Sequence, residues 1–263
     1  MGKTMRLGIV SAALALVGGF IVSGGTAAAA PSNKPMAYTC TGGDIPSGTY
    51  ASVTVTGACE VPMDGSGVIT IVGNLNVASG GFFDAQSAPS TITVGHNVTA
   101  APGSVVGLGC QPPALVGNSA HPCTYEPDGH STITVDGNVT GTDAVVVLLN
   151  GITVNGNVTL TGGGSEQIPW SVKNNTVGGN VTLSGITDEW LGLMFNHIGG
   201  NATLTNITLH DVDPGAPGVY VVENVVGQNL NCSGLTPGVS PGFIPGEHNT
   251  VGHRANGQCA ALV

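Results

Sequence analysis

The chain has 263 residues, with five Lys and Arg against 15 Asp and Glu, so its formal net charge at neutral pH is −10. So few cations cannot neutralise a phosphate backbone, which argues against nucleic acid or an anionic membrane surface as a partner. Charged residues make up 8% of the chain and hydrophobic residues 41%. That combination indicates a folded protein that uses Thr, Asn and Ser as its solvent-facing side chains.

The N-terminus has the pattern of an export signal. Two basic residues, Lys3 and Arg6, precede an apolar stretch at 7–22 and a small-residue run, "SGGTAAAA". We predict a signal peptide at 1–30, with an uncleaved anchor as the alternative because the apolar stretch is nearly long enough to span a bilayer. Cleavage leaves 31–263 as a single secreted domain with a formal charge of 3 − 15 = −12 and no later membrane span.

All six cysteines lie in the predicted exported part. An even number of cysteines in an exported chain indicates three disulfides, and six cysteines allow fifteen connectivities. Their spacing does not match a zinc site. We expect nearest-neighbour pairing: Cys40–Cys59, Cys110–Cys123 and Cys232–Cys259.

A repeat is found by aligning the chain on the Asn of a recurring Gly-Asn step. The anchors are Asn74, Asn97, Asn138, Asn157, Asn180, Asn201 and Asn229, with Arg254 in the last copy. Successive gaps are 23, 41, 19, 23, 21, 28 and 25 residues, and the gap of 41 fits two units or one unit with a long loop. About 22 residues per unit is typical of one coil of a β-solenoid.

The columns of the repeat alternate between apolar and polar residues. Positions one after and three before each anchor are apolar, and the position two after it is Thr or Asn. This alternation indicates strands with one buried and one solvated face. The Gly-Asn step itself is predicted to lie at a bend, where both residues tolerate positive φ.

The fifth position before the anchor is Ile in the first copies and Asn in the last four. By strand parity this position points into the core, where identical side chains stack about 4.8 Å apart. Stacked Asn side chains can hydrogen-bond to one another along the axis, which satisfies amides that are otherwise costly to bury. We therefore predict a structural ladder at Asn175, Asn196, Asn224 and Asn249.

Together these patterns predict an all-β fold, a right-handed parallel β-helix of about 8–10 coils stapled by disulfides. An N-terminal cap or first coils should occupy 31–66, and the repeat coils 67–231 with a loop insertion near 101–131. The last coils and a C-terminal cap should occupy 232–263. Caps matter because open end strands otherwise recruit other chains.

The "GNV" repeats, the N-terminal "CTGGDIPSGTYASVTV" and the closing "NTVGHRANGQC" resemble small secreted parallel β-helix proteins of actinobacteria. The resemblance covers nearly the whole predicted mature chain. It implies the β-helix fold and export, but it gives no information about an activity. A more distant likeness to bactofilins, which polymerise end to end, is weakened because those proteins are cytoplasmic and lack these cysteines.

Many parallel β-helices degrade polysaccharides, but the chain lacks the expected motifs and cations. A hydrolase of neutral sugars needs two carboxylates roughly 5–9 Å apart. The candidate pairs are Asp188 with Glu189, whose side chains point oppositely on a strand, and Asp211 with Asp213 in a loop. The seven His are scattered without metal-ligand spacing. We therefore expect no catalytic residue, no metal and no cofactor.

Two non-enzymatic surfaces stand out. Thr-x-Thr or Thr-x-Ser steps begin at Thr140, Thr159, Thr182 and Thr203, and would stack as the flat arrays of ice-binding solenoids do. The simpler interpretation is that Thr is a favoured polar strand residue. Trp170 and Trp190 lie in corresponding parts of two coils, where they would stack on sugar rings if exposed or pack at the core edge if buried.

We expect a secreted or envelope-associated β-helix with a structural or adhesive role and without catalysis. Its partner would be a cell-wall glycan or a surface protein. The alternatives are a polysaccharide-binding or polysaccharide-hydrolysing β-helix and, third, ice binding through the Thr columns. Exposed tryptophans beside carboxylates would favour the second role, and a flat Thr face free of carboxylates the third.

Overall fold

The computed structural model describes residues 34–210, 217–243, 246 and 248–263; the predicted signal peptide at 1–30 lies outside these residues. Lys34–Val263 form one compact unit. Nearly every regular element in the described part is a short β-strand, and all the named strand pairs are parallel.

The strands of the first coils are β1 (Met36–Cys40), β2 (Gly43–Asp44), β3 (Gly48–Val55), β4 (Ala58–Glu60), β5 (Gly67–Ile71), β6 (Leu75–Val77), β7 (Phe82–Ala85), β8 (Ser90–Val94), β9 (Val98–Ala100) and β10 (Val105–Leu108). The strands of the middle coils are β11 (Thr132–Val135), β12 (Val139–Thr142), β13 (Val146–Asn150), β14 (Thr153–Val154), β15 (Val158–Thr161), β16 (Trp170–Lys173), β17 (Thr176–Val177), β18 (Val181–Ser184), β19 (Thr187–Asp188) and β20 (Leu191–Met194). The last coils contain β21 (His197–Ile198), β22 (Ala202–Thr205), β23 (Thr208–Leu209), β24 (Val219–Val222), β25 (Val225–Val226), β26 (Leu230–Ser233), β27 (Val239–Ser240), β28 (Thr250–Val251) and β29 (Ala255–Gly257).

Strands of successive coils stack into three long rows. The first row contains β5, β8, β11, β14, β17, β21, β25 and β28, and the second contains β1, β3, β6, β9, β12, β15, β18, β22, β26 and β29. These two rows form one 18-stranded sheet because β3 is long enough to pair in both. The third row is the 9-stranded sheet β2, β4, β7, β10, β13, β16, β20, β24 and β27, and β19 pairs with β23 at one corner. The predicted parallel β-helix is therefore confirmed, with ten strands in the described second row.

The core lies inside the stack of coils. In β5 every second residue is buried, and the same residues of β8 and β11 stack on it in register. The apolar columns read from the sequence supply this interior, as Ile71 and Leu75 show with 1% and 0% of their surface exposed. Burying an aliphatic side chain of this size stabilises a fold by about 1.5–3 kcal/mol. Repetition of such residues from coil to coil makes the core continuous.

One long loop, 109–131, interrupts the coils and packs on the outer surface of the third row. Asn138 donates directly to Asn97 Oδ1, so the gap of 41 residues is one coil that carries this loop rather than two coils. β10 lies within the predicted insertion, and the irregular part therefore begins only after Leu108. The loop contains a short helix, α1 (Pro113–Val116), and a 3₁₀ turn at Gly117–Ser119.

Polar contacts tie this loop to the third row. Lys173 Nζ donates to Ala120 O at 3.0 Å, and Asn174 Nδ2 donates to Ser119 O at 3.0 Å. Ser119 Oγ in turn donates to Asn174 Oδ1 at 2.9 Å. The loop is thus anchored to one corner of the β-helix and forms a cover over part of the third row.

Three disulfides fasten the ends and the loop. Their connectivity is nearest-neighbour: Cys40–Cys59, Cys110–Cys123 and Cys232–Cys259. The first joins β1 to β4, the second closes the base of the loop, and the third joins β26 to the C-terminal 3₁₀ turn at Gln258–Ala261. The C-terminus also covers the last coil, since Leu262 O accepts hydrogen bonds from Asn249 N and Nδ2.

Candidate functional site

The four buried asparagines form a continuous ladder along one inner corner. The Nδ2 of each donates to Oδ1 of the next at 2.9–3.0 Å, from Asn175 through Asn196 and Asn224 to Asn249. Each Oδ1 also accepts a backbone N–H from the coil before, and each Nδ2 also donates to a backbone carbonyl. At most 5% of any of these residues is exposed, so the ladder is a structural element and offers no surface to a ligand.

The residues that precede the ladder have left-handed backbone conformations. Asn174, Phe195 and Glu223 have φ of +59°, +57° and +48°. Of these three residue types, only Asn is often found in the left-handed region, because bulkier side chains crowd the backbone there. The sequence columns did not predict this turn, since Phe and Glu carry no signal for it. The hydrogen bonds of the adjacent ladder residue hold the chain in the conformation.

The opposite end of the first-row strands carries a second, outer ladder. The anchors of the repeat stack there, each donating from its N and Nδ2 to Oδ1 of the anchor before, as Asn180 does to Asn157 at 2.8 and 3.2 Å. The predicted positive φ at the Gly-Asn step is wrong, since neither these Asn nor the Gly before them has one. Gly is required instead by close approach: a Cβ on Gly156 would lie 2.5 Å from Asn138 Oδ1 and from Gly137 O.

Beside the outer ladder, the second row presents a flat polar surface that we call the Thr face. Its inner column stacks in register through all ten strands of the row: Thr39, Thr54, Asn76, Thr99, Thr140, Thr159, Thr182, Thr203, Asn231 and Asn256. Its outer column covers five coils: Thr142, Thr161, Ser184, Thr205 and Ser233. The face therefore contains hydroxyl and amide groups only, although the chain has 15 acidic residues.

The Thr face has regular dimensions set by the sheet. Strands in a row are about 4.8 Å apart, and side chains two positions apart on one strand are about 6.6 Å apart. Nine steps along the inner column therefore span roughly 43 Å. Within the described chain, the hydroxyls of Thr140, Thr159, Thr182 and Thr203 donate to no protein group, whereas Thr99 Oγ1 donates to Asn76 Oδ1 at 2.7 Å. In the outer column of the same coils, Ser184 Oγ donates to Thr161 Oγ1 at 3.3 Å. The hydroxyls of these four inner-column residues are thus free to donate to a surface outside the protein.

Of the two alternatives for Trp170, the structure shows the buried one. Trp170 is 1% exposed, and its Nε1 donates to Val145 O at 2.8 Å, so neither face of the indole reaches solvent. Trp190 is half-buried and packs edge-on against Tyr220, with ring centroids 4.9 Å apart. The two tryptophans therefore do not form a paired platform. The alternation of apolar and polar residues could not predict which of the two tryptophans is buried, because both lie beside loops.

Of the two predicted carboxylate pairs, the structure describes only Asp188 with Glu189, and Asp188 is enclosed in the fold. Asp188 is fully buried, and its two oxygens accept Ser165 N at 2.8 Å and Trp170 N at 2.9 Å. Burial raises the pKa of Asp188 to about 6, against the hydrogen bonds that lower it. This carboxylate holds the loop before β16 in place. Asp211 and Asp213 lie outside the described residues.

The described residues contain no group of three His, Cys, Asp or Glu side chains placed to hold a metal ion. In the same part of the chain, no helix combines the length and apolar character needed to cross a membrane. Comparisons with protein-family models, with curated protein sequences and with solved structures find no significant match.

Proposed function

We propose that this protein is a secreted, non-catalytic β-helix that adheres through its Thr face to a flat, uncharged surface at the cell envelope, with cell-wall glycan as the partner. The observation that carries the proposal is the uncharged array of Thr, Asn and Ser in register over ten strands of the second row. Thr is common on strands, but here Thr or Asn occupies every position of the inner column, which goes beyond that general preference. Signal-peptide pattern and disulfides support the extracellular location.

The rigidity of the face supports an adhesive role. Disulfides, the buried Asn ladder and the outer Asn ladder hold the strands in register, so the hydroxyls are presented without further loss of conformational freedom. Binding then costs less ordering entropy than it would for a flexible surface. Each contact with a neutral glycan hydroxyl is weak, but a row of about nine steps allows many contacts at once.

Co-sedimentation with insoluble envelope polysaccharide tests the proposal. The variant carries Thr159→Glu and Thr182→Glu, which place two charges on adjacent coils of the Thr face. The control carries Thr134→Glu and Thr153→Glu, which stack in the same way at half-buried, outward positions of the first row. We expect the Thr-face variant to lose most binding and the control to keep it.

Equal loss in both variants would overturn the assignment to this face, and absence of binding by the unaltered protein would overturn the partner. Soluble sugar assayed in the same supernatant tests the hydrolytic alternative. Sugar release would overturn the non-catalytic role.

Ice binding is a second candidate, favoured by one specific observation. The Thr-x-Thr and Thr-x-Ser steps of β12, β15, β18 and β22 stack in register on four consecutive coils. An ordered array of hydroxyl and methyl groups is suited to ordered water. Thermal hysteresis and ice shaping by purified protein would establish this function, and their absence at millimolar concentration would remove it.

A further inference from the structure

A cavity of about 170 Å³ lies on the outer surface of the third row, beneath one edge of loop 109–131. It is remote from the Thr face, which belongs to the second row. Its walls are mainly apolar and come from the third row and from two loops: Phe82, Val105, Val146, Leu148 and Ile168. A cavity of about 150 Å³ admits a single benzene ring, so this one fits one six-membered ring with a small substituent.

The cavity also contains a polar group that the protein leaves unpaired. Gln86 is 7% exposed and lines the cavity, and its side-chain amide makes no hydrogen bond within the described chain. The amide lies over Gly107, where an added Cβ would approach Gln86 Oε1 to 3.1 Å. Its oxygen and nitrogen are not among the enclosed side-chain atoms of the described chain that lack a partner, so the amide opens on the cavity and can bond to water. A ligand with a hydrogen-bonding group would replace that water at the same atoms.

His121 provides a second polar contact at the cavity wall. Burial, with a smaller contribution from Lys173, lowers the pKa of His121, so its ring is neutral at pH 7 with one donor and one acceptor nitrogen. Asp84 also lines the cavity, but its oxygens already accept Gln86 N, Ser87 N and Ser87 Oγ. This carboxylate disfavours an anion and has little capacity left to bind a cation.

We propose that the cavity is a binding site for a small uncharged molecule with one aromatic ring and one hydroxyl group. The ring fills the space between Phe82, Val146 and Leu148, and the hydroxyl bonds to the Gln86 amide. Apolar walls with a few convergent polar groups are the usual composition of small-molecule sites. Loop 109–131, fastened by its disulfide, covers the bound molecule from one side.

Titration with phenol and with benzene tests this site, using the methyl NMR signals of Val105, Val146 and Leu148 in the full predicted mature protein. We expect both probes to shift these signals, with phenol binding about fivefold more tightly because of its hydrogen bond. Absence of shifts with both probes would overturn the proposal.

Three variants separate the contributions. Gln86→Leu keeps the size of the side chain and should remove the preference for phenol, leaving benzene affinity unchanged. Leu148→Trp fills the cavity and should abolish both. Met194→Trp is the matched control, because Met194 lies on the same row two coils further along, outside the cavity. An unchanged phenol preference in Gln86→Leu, with unfolding midpoints equal to the unaltered protein, would refute the role of the amide.

Discussion

Replacing one rung of the buried ladder should destabilise the protein far more than replacing the same residue in the outer ladder. Asn196 is fully buried and makes four side-chain hydrogen bonds. Asn196→Ala leaves three buried groups without this partner: the backbone N–H of Asn175, one Nδ2 hydrogen of Asn175 and the carbonyl of Val172. Each unsatisfied buried group costs roughly 1–3 kcal/mol, so we expect a loss of about 4 kcal/mol after relaxation.

Asn180 provides the matched control. Its side chain makes the same pattern of Asn–Asn hydrogen bonds with the coils on either side, but the residue is exposed. Water replaces the lost partners in Asn180→Ala, so the expected cost is under about 1 kcal/mol.

Urea unfolding of the oxidised proteins, followed by far-UV circular dichroism, measures both free energies. Equal losses in Asn196→Ala and Asn180→Ala would refute the reasoning, because the two sites differ mainly in access to water. A change in the dependence of the unfolding free energy on urea concentration would indicate that some coils unfold separately. In that case only the urea concentrations at the unfolding midpoints would be compared.

Three further predictions concern other parts of the fold. The pKa of Asp188 is raised by burial to about 6 from an ordinary 3.8, so the folded state holds this proton more tightly than the unfolded state. The contribution of Asp188 to stability should therefore be complete below about pH 4 and be lost, by roughly 2–3 kcal/mol, as pH rises through 6; Asp188→Asn should remove this component of the pH dependence in urea titrations at several pH values. Gly156→Ala should lower the melting temperature by several degrees, because its Cβ meets Gly137 O; a neutral result in calorimetry would contradict the close-approach argument. Replacing Cys110 and Cys123 together by Ala should cost about 3 kcal/mol in urea unfolding through the entropy of the opened loop, and unchanged stability would show that other contacts hold the loop.

Local periodicity was sufficient to predict the coils. The apolar columns around each anchor required only strand alternation and a repeat length, and residues such as Ile71 and Leu75 are buried as expected. The ladder at Asn175 through Asn249 followed from the same parity argument, because a polar residue in an apolar column needs a repeated partner. Residues at the same position of successive repeats stack on one another, so the repeat in the sequence directly predicts which residues are neighbours in space.

Contacts between the loops and the strand rows follow no periodic pattern in the sequence, so they could not be predicted from it. Trp170 and Trp190 occupy similar places in the repeat, yet one is enclosed by its neighbours and the other packs on an aromatic ring. The glycines of the Gly-Asn step were assigned to a backbone conformation, whereas the approach of the preceding coil is what excludes a Cβ. Gln86 carries no signal in the sequence, because the cavity that its side chain lines forms where His121 and Thr124 of loop 109–131 meet the third row.

The sequence by itself determined the class of fold, the length of a coil, the buried Asn ladder and the Thr columns, because each depends on the order of residues along a strand and its repetition. Only the tertiary structure decided that the long gap is one coil with a loop, that the Thr face excludes every charged residue over the whole second row, and that a cavity with an unpaired amide lies under the loop. The physical reason is that these features arise from segments that meet without a shared period, and their contacts depend on packing in three dimensions.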